Sequence, residues 1–188
     1  KNLIGAFHHP KLVVSDIKTL ESLPPRVARA GWAEAIKHAL IMDEQLLNTF
    51  ETHARSILTL DQEIATNVIR KSIRIKGNVV SQDQRETLGL RILLNYGHTI
   101  GHAIEAATNY TQYLHGEAVS VGMMAAAFIS HDLGMLSSKD LERQKAVLRA
   151  YGLPTSVPTT DAQALYEAMK LDKKVVGGRN RWVLLEGL

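Results

Sequence analysis

Two histidines set four residues apart are the residues of this chain best suited to chemistry. His98 and His102 lie within Arg91–Glu105, and if that stretch is helical their rings share one face, one turn apart. His115 follows soon after, so a divalent metal site is one interpretation. An incidental pair is the other, since this spacing also arises by chance in a chain with eight histidines. The zinc-protease pattern His-Glu-x-x-His is absent, because Thr99 follows His98, and a metalloprotease of that type is excluded.

Two glycines repeat the same spacing on the neighbouring stripe of this predicted helix. Gly97 and Gly101 flank the histidines in register with them. A glycine inside a helix costs about 1 kcal/mol relative to alanine. The pair therefore predicts that another part of the protein approaches this backbone closely.

Composition narrows the class of protein. The chain has no cysteine, which excludes disulfides and thiolate ligands and fits a reducing compartment such as the cytoplasm. No apolar run is long enough to span a bilayer, so no membrane association is expected. The net charge of +3 comes from scattered lysines and arginines without a basic, aromatic-lined stripe. This pattern argues against nucleic acid as a partner and fits an anionic small substrate.

A helical period of apolar residues recurs along most of the chain, which predicts a mainly α fold with short β segments at the N-terminus and near the C-terminus. Asp61 and Ser137 or Ser138 are the predicted N-caps of two helices, and Gly152 is a predicted end. The stretch Ser81–Thr87 is predicted to be a loop, and Arg181–Leu185 a strand. The predicted helices are Arg26–Met42, Asp43–Thr52 (continuing or restarting the first), Gln62–Asn78, Leu90–Asn109, His115–Leu133, Ser138–Tyr151 and Ala162–Lys170.

The first part of the chain has a different pattern. Lys1–Pro10 and Lys11–Ile17 resemble short strands punctuated by Gly5 and Pro10. Two short strands do not form a stable sheet alone. We therefore expect residues 1–22 to be remnant strands of a domain outside this chain, and residues 23–188 to form a helical domain. On this interpretation the chain is the second half of a larger protein.

Several segments, in this order, resemble the 3-dehydroquinate synthase family. The combination is specific, although no single segment would be. The chain departs from the family pattern at His9, where glutamine is usual, and at Gln84, where glutamate is usual. The matching segments are Lys1–Phe7 (KNLIGAF), Gly31–Lys37 (GWAEAIK), Asn95–Ala103 (NYGHTIGHA), His115–Val119 (HGEAV) and Asp172–Lys174 (DKK).

The resemblance implies a catalytic divalent metal, zinc or cobalt, held by Glu34, His98 and His115. Two imidazoles and a carboxylate suit zinc, and three protein ligands leave a position open for substrate hydroxyls. On this interpretation His98 and His102 are not a chelating pair, because only His98 is a ligand. Without the resemblance, Glu34 would be interpreted as a solvent-facing helix residue.

The resemblance also assigns contacts to a phosphorylated sugar-acid substrate. His102 and Asn95, expected one turn to either side of His98, would meet the phosphate and relay a proton near it. A guanidinium can bind a carboxylate through two hydrogen bonds, which suits Arg91 beside Lys76. The remaining implied contacts are a catalytic Lys37 at a substrate hydroxyl, Asn2 near the cofactor, and one of Lys173 and Lys174 at the phosphate.

The implied reaction converts 3-deoxy-arabino-heptulosonate 7-phosphate into 3-dehydroquinate with elimination of phosphate, a step of the shikimate pathway. NAD⁺ would be bound mainly by the domain outside this chain, since no Gly-x-Gly-x-x-Gly turn follows a predicted strand here. The family resemblance also implies a homodimer.

Three alternatives remain open from the sequence. Another sugar-phosphate cyclase would share the metal ligands but act on a substrate without a carboxylate, which the pairing of Lys76 with Arg91 disfavours. A metal-dependent polyol dehydrogenase would not need so many anion-binding residues. The third alternative is a helical metal-binding module without catalysis.

Overall fold

Helices form most of the molecule. The structure is a computed structural model that describes residues 4–5, 8, 10–84, 88–157, 162–170, 175–176, 179–180 and 182–188. Short 3₁₀ helices cover Ile17–Ser22 and Leu90–Asn95. The α-helices are Pro25–Met42 (α1), Glu44–Thr52 (α2), Ala54–Leu58 (α3), Gln62–Gln82 (α4), His98–Ala107 (α5), His115–Asp132 (α6), Ser138–Ala150 (α7) and Ala162–Lys170 (α8). The mainly α fold class is thus confirmed.

The sequence left open whether Asp43–Thr52 continues the first helix or restarts it, and the structure shows a restart. α1 starts with Pro25 at its first turn, where a missing N–H costs nothing. It ends at Asp43, whose backbone is extended and whose side chain accepts a hydrogen bond from the Leu46 N–H. Asp43 is therefore the N-cap of a restarted helix.

The predicted caps are confirmed at two further helices. The Asp61 carboxylate accepts a hydrogen bond from the Ile64 N–H at the start of α4, and the Ser137 hydroxyl accepts one from the Asp140 N–H at the start of α7. The end of α4 was predicted too early: the helix runs to Gln82, because Val79 extends its buried stripe. The first two residues of the loop predicted at Ser81–Thr87 are therefore helical, and residues 85–87 lie outside the described part of the chain.

The predicted helix Leu90–Asn109 is wrong as a single element. It is divided into a 3₁₀ helix ending at Asn95 and α5 starting at His98. Gly97 has φ +77°, a left-handed conformation that favours glycine. The neighbouring Tyr96 is fully buried and donates a hydrogen bond to Gln144 Oε1 at 2.9 Å. Because of this turn, Asn95 does not lie one helical turn before His98.

The close backbone approach predicted from the glycines is confirmed. α5 and α6 pack against each other. A Cβ atom on Gly97 would lie 2.8 Å from the Val119 carbonyl oxygen, and one on Gly101 would lie 3.1 Å from Val119 Cα. On α6, a Cβ at Gly122 would overlap the carbonyl oxygen of Gly97. Only glycine allows the two helices to come this close.

The core packs around α1. The buried face of this helix includes Ala33 and Ile36, both fully inaccessible. Trp32 contacts the rings of Phe50 and Tyr151, with centroids 6.3 and 6.4 Å away. These packing contacts fix the position of the helix that carries Glu34.

The β segments predicted at Lys11–Ile17 and Arg181–Leu185 are wrong within the described residues, and most of the segment Lys1–Pro10 lies outside them. Among the described residues before Ile17 no strand forms, and residues 182–185 are irregular. The structure instead has a two-residue antiparallel pair, Val175–Val176 with Arg179–Asn180. Alternation of apolar residues over so few positions specifies a strand only when a neighbouring strand is present.

None of the helices within the described ranges is long and apolar enough to cross a membrane.

A buried histidine of α1 leads to a prediction on acid stability. His38 is 5% exposed, and its Nδ1 lies 2.7 Å from the Ser72 hydroxyl. Burial, followed by the positive charge of Lys37, lowers the pKa of His38 to about 4. Between pH 6.5 and 4 the unfolded chain therefore binds a proton that the folded chain does not, so stability falls as the pH falls. The difference integrates to roughly 3 kcal/mol.

Urea unfolding at about pH 7 and about pH 5, on either side of the ordinary histidine pKa, tests this expectation. His38→Gln should show a weaker loss of unfolding free energy between the two pH values than the unsubstituted protein. His131→Gln, at a histidine away from the core, should keep the full loss. Equal pH dependence in the His38 variant and the unsubstituted protein would contradict the assignment.

Candidate metal centre

Three potential ligand atoms converge where α1, α5 and α6 meet. Glu34 comes from the middle of α1, while His98 and His115 are the first residues of α5 and α6. Glu34 Oε1 lies 3.3 Å from His98 Nε2 and 3.6 Å from His115 Nε2. All three atoms lie within 4.8 Å of one another. The histidines are brought together by the glycine contact between their helices.

The protons of both imidazoles are placed on the far side of the rings. His98 Nδ1 lies 3.2 Å from the Tyr96 carbonyl oxygen, which can only accept, so Nδ1 carries the hydrogen. His115 Nδ1 faces both oxygens of Glu105 at 3.2 Å, and the same reasoning applies. In the neutral rings, each Nε2 therefore presents a lone pair towards Glu34 Oε1. That oxygen is buried and has no hydrogen-bond partner among the described residues.

Three electron-pair donors facing one another need a cation between them. A tetrahedral zinc site with bonds of about 2.0–2.1 Å places its ligand atoms roughly 3.3–3.4 Å apart. The separations from Glu34 Oε1 to the two Nε2 atoms match this spacing within a few tenths of an ångström. The donor set also suits zinc or cobalt better than calcium, which prefers oxygen. The residues therefore fit a divalent transition metal.

Lys37 fixes the other oxygen of Glu34. Its Nζ lies 2.7 Å from Glu34 Oε2 and 2.6 Å from the Leu94 carbonyl oxygen, and its side chain is 2% exposed. The ion pair leaves Oε1 as the available ligand atom. Lys37 thus connects α1 to the segment that leads into α5.

The charges of the cluster keep the carboxylate ionised. Burial by itself raises the pKa of Glu34, but the imidazoles of His115 and His98 and the charge of Lys37 outweigh burial and hold that pKa far below its usual range. Glu34 in turn raises the pKa of His115, against the opposing effect of burial and with the help of Glu105. Metal binding requires the neutral form of each imidazole, so a proton and a metal compete for His115 Nε2.

His102 completes a cluster of three imidazole rings. Its centroid lies 5.4 Å from that of His98 and 6.0 Å from that of His115. His98 and His115 begin α5 and α6, so the N-termini of both helices lie at this cluster, where the helix dipoles favour a bound anion. These helix N-termini are consistent with an anion-binding position near His102, which stays a prediction.

The structure describes only some of the other predicted substrate contacts. Lys76 lies on the exposed face of α4, and Arg91 is half-buried in the 3₁₀ helix that packs against α4. The buried Asp83 carboxylate accepts hydrogen bonds from the Leu88 and Leu90 N–H groups and so shapes the loop before Arg91. Asn95 is half-buried at the end of the same 3₁₀ helix. Asn2, Lys173 and Lys174 lie outside the described residues.

Sequence reasoning missed Glu105. This residue follows His98 by seven positions and His102 by three, the spacing of one helical face. That signal was available, but a carboxylate near the end of a helix is usually solvated. The structure shows it buried, at 6% exposure, against His115.

A cleft of about 590 Å³ opens beside the cluster. It lies between α1, α4 and the segment that carries the first 3₁₀ helix. Glu34 lines one part of it, and apolar residues such as Val14, Leu23 and Ile73 line much of the rest. Glu34 is the member of the cluster that lines this cleft, so the cleft adjoins the site at that carboxylate.

Solved structures share this fold over the whole chain. A 2-epi-5-epi-valiolone synthase from Streptomyces hygroscopicus with NAD⁺ and Zn²⁺ bound superposes with a TM-score of 0.88 at 28% identity, covering 100% of this chain and 52% of that one. A 2-deoxy-scyllo-inosose synthase complexed with carbaglucose-6-phosphate, NAD⁺ and Co²⁺ gives 0.80 at 29%, with the same coverage. The chain therefore shares the fold of proteins of the sugar-phosphate cyclase class.

Sequence comparison identifies the family within that class. The family model described as 3-dehydroquinate synthase C-terminal matches residues 31–175, and the chain belongs to this family. The 3-dehydroquinate synthase of Acidithiobacillus ferrooxidans is 46% identical over 188 residues, and that of Nitrosospira multiformis is 45% identical over 188. Each alignment covers 100% of this chain and 51% of the relative. The chain spans about half the length of the curated relatives it matches.

Proposed function

We propose that this chain is the metal- and substrate-binding half of a 3-dehydroquinate synthase. The full-length enzyme would convert 3-deoxy-arabino-heptulosonate 7-phosphate into 3-dehydroquinate and phosphate, and would act in the cytoplasm as a homodimer. The observation that carries the proposal is the convergence of Glu34 Oε1 with the Nε2 atoms of His98 and His115, in a chain of this family.

Residues 1–22 would belong to the NAD-binding half, and residues 23–188 would form the helical domain. The exposure of the first segment supports this division. Leu12, Val13 and Val14 form a continuous apolar run and are 78%, 68% and 80% exposed. Such a run in water is expected to be covered by further protein.

The residues that bind the metal and the residue that binds the phosphate would have separate tasks. Glu34, His98 and His115 would hold the metal, with Lys37 fixing the orientation of the carboxylate and lying near a substrate hydroxyl. When bound, the metal supplies Lewis-acid polarisation of substrate oxygens and NAD⁺ supplies reversible hydride transfer. His102 would bind the substrate phosphate and hold a proton at the ring nitrogen beside it.

The remaining contacts would orient the substrate. Asn95, one of Lys173 and Lys174, and the N-termini of α5 and α6 would hold the phosphate. Arg91 and Lys76 would hold the substrate carboxylate, with Asn2 contributing near the cofactor. The proposal needs no nucleic acid or membrane partner.

A phosphate-release assay on the full-length protein tests the function. With the heptulosonate phosphate, NAD⁺ and Zn²⁺ or Co²⁺, the protein should release inorganic phosphate and form the carbocyclic product. The same protein should be inactive on a hexose phosphate that lacks the carboxylate. Turnover of the hexose phosphate instead would identify one of the other cyclases, and NAD⁺ reduction with a simple polyol would identify a dehydrogenase.

Arg91 provides the residue-level prediction for substrate choice. Arg91→Lys keeps the charge but loses the two-pronged guanidinium, so the KM for the natural substrate should rise about 10- to 100-fold. A substrate analogue without the carboxylate should bind equally well to both proteins in a calorimetric titration. Arg70→Lys, the same substitution on the exposed part of α4, should leave both affinities unchanged. Equal losses for both compounds would mean that Arg91 does not bind the carboxylate.

A further inference from the structure

We propose that Glu105 is a positioning residue for the metal centre. Its carboxylate accepts the Nδ1–H of His115, which fixes the tautomer and the ring orientation so that Nε2 faces Glu34. The inference rests on the proposed metal site and adds to it a residue to which the proposed function assigns no role. Outer hydrogen-bond partners of this kind are known to orient metal-binding histidines.

The geometry singles out this contact from the others in the cluster. Both carboxylate oxygens of Glu105 lie 3.2 Å from His115 Nδ1 with hydrogen-bond geometry. The Nε2 atoms of the two ligand histidines approach Glu34 Oε1 to similar distances, but that oxygen takes part in no hydrogen bond with the described residues. The proton of His115 therefore points at Glu105, and its lone pair points at the metal position.

Burial shows that the contact is built into the fold. The Glu105 side chain is 8% exposed, whereas that of His115 is 38% exposed. A carboxylate taken out of water is costly unless it is paired. His115, on the neighbouring helix, is its partner in this cluster, and the contact joins the end of α5 to the start of α6.

His98 is also oriented through its Nδ1, but by a backbone carbonyl instead of a carboxylate. Its Nδ1 faces the backbone carbonyl of Tyr96 at 3.2 Å, just before α5 begins. His115 begins α6 after Leu114, and Glu105 supplies the acceptor from another helix. The two histidines thus present the same nitrogen to the metal position, one oriented by backbone and the other by a side chain.

Zn²⁺ affinity of the full-length protein, measured by competition with a chromophoric chelator, tests the inference. Glu105→Ala should weaken Zn²⁺ binding about 10- to 100-fold. Glu105→Gln keeps the shape and one accepting oxygen, so it should fold normally and show a smaller loss. Glu51→Gln is the matched control, because Glu51 is also partly buried and ion-paired, with Arg143, but is remote from the cluster. Its affinity should equal that of the unsubstituted protein.

A second readout separates orientation from general stability. In the metal-free protein with ¹⁵N-labelled histidine, NMR at a pH where His115 is neutral should show the Nδ1–H tautomer. Glu105→Ala should shift His115 towards Nε2–H, and Glu51→Gln should not. A merely structural role of Glu105 would lower the melting temperature without moving the tautomer.

The outcomes are distinct. Unchanged Zn²⁺ affinity and an unchanged tautomer in both Glu105 variants would overturn the inference. Two Zn²⁺ ions per chain would also overturn it, since His102, Glu105 and His115 would then form a second metal site. Retention of Zn²⁺ in Glu34→Ala would refute the metal site itself. Loss of Zn²⁺ in Glu34→Ala with normal binding in both Glu105 variants would refute only the role of Glu105.

Discussion

Glu34→Ala is expected to abolish metal retention and, with it, the activity proposed for the full-length protein. The substitution removes the oxygen that lies between the two Nε2 atoms. The loss of metal affinity should exceed about 100-fold, the upper range for residues that only orient ligands. Metal analysis after dialysis, followed by the phosphate-release assay, measures both effects. Full metal occupancy in the variant would show that Glu34 is not a ligand.

Two further variants separate ligation from folding. Glu34→Ala also removes the ion-pair partner of Lys37, whose side chain is 2% exposed while that of Glu34 is 35% exposed, so stability should fall as well. Glu34→Gln keeps a hydrogen-bond acceptor for Lys37, so it should lose metal with a smaller loss of stability. His131→Ala removes a histidine outside the cluster and should retain the metal fully.

Gly122→Ala is expected to disrupt both stability and metal binding. The new methyl group would overlap the carbonyl oxygen of Gly97 and approach the Gly101 nitrogen to 2.9 Å, both of which are backbone atoms that cannot rotate away. The two helices must separate, and overpacking of this kind costs about 1–3 kcal/mol or more. His98 directly follows Gly97, so the separation also displaces a ligand. Denaturant unfolding and Zn²⁺ titration measure the two losses.

Gly77→Ala is the matched control for that prediction. Gly77 lies inside α4, and a Cβ atom added there would meet no other atom within 4 Å, so alanine fits without a clash. The substitution should stabilise the protein by up to about 1 kcal/mol through helix propensity and leave Zn²⁺ affinity unchanged. If Gly122→Ala were as harmless as Gly77→Ala, the close contact of α5 with α6 would not matter for the site.

Local patterns predicted the parts of the fold that depend on neighbouring residues. The apolar period of α1, the cap at Asp61 and the approach signalled by Gly97 and Gly101 are all properties of short stretches. The strands expected at Lys11–Ile17 and Arg181–Leu185 were wrong within the described residues, because strand formation depends on a partner that the stretch does not contain. The break before His98 was missed, because the sequence does not distinguish a glycine with a positive φ, such as Gly97, from a glycine inside a helix.

The site was predictable only in part from its residues. The spacing of His98 and His102 pointed to the region of the cluster, but the histidine atoms that converge on Glu34 Oε1 belong to His98 and His115. Nothing near Glu34 in sequence distinguishes it from a solvated glutamate, and only its resemblance to a known family indicated it. Its meeting with the histidines depends on how α1 packs against α6, where a Cβ at Gly116 would overlap the Ala30 carbonyl oxygen. Such contacts between distant segments leave no local pattern.

The glycine contact between α5 and α6 would make the proposed metal centre mechanically stiff. His98 and His115 start helices whose separation is set by backbone touching backbone, so the main chains that carry the two imidazoles cannot shift without disturbing that contact. An ion with longer preferred bonds, such as Ca²⁺ at about 2.3–2.6 Å, would have to push two helices apart. Discrimination by ionic radius would then come from the main chain, and substitutions of surrounding side chains should change affinity more readily than they change which metal is preferred.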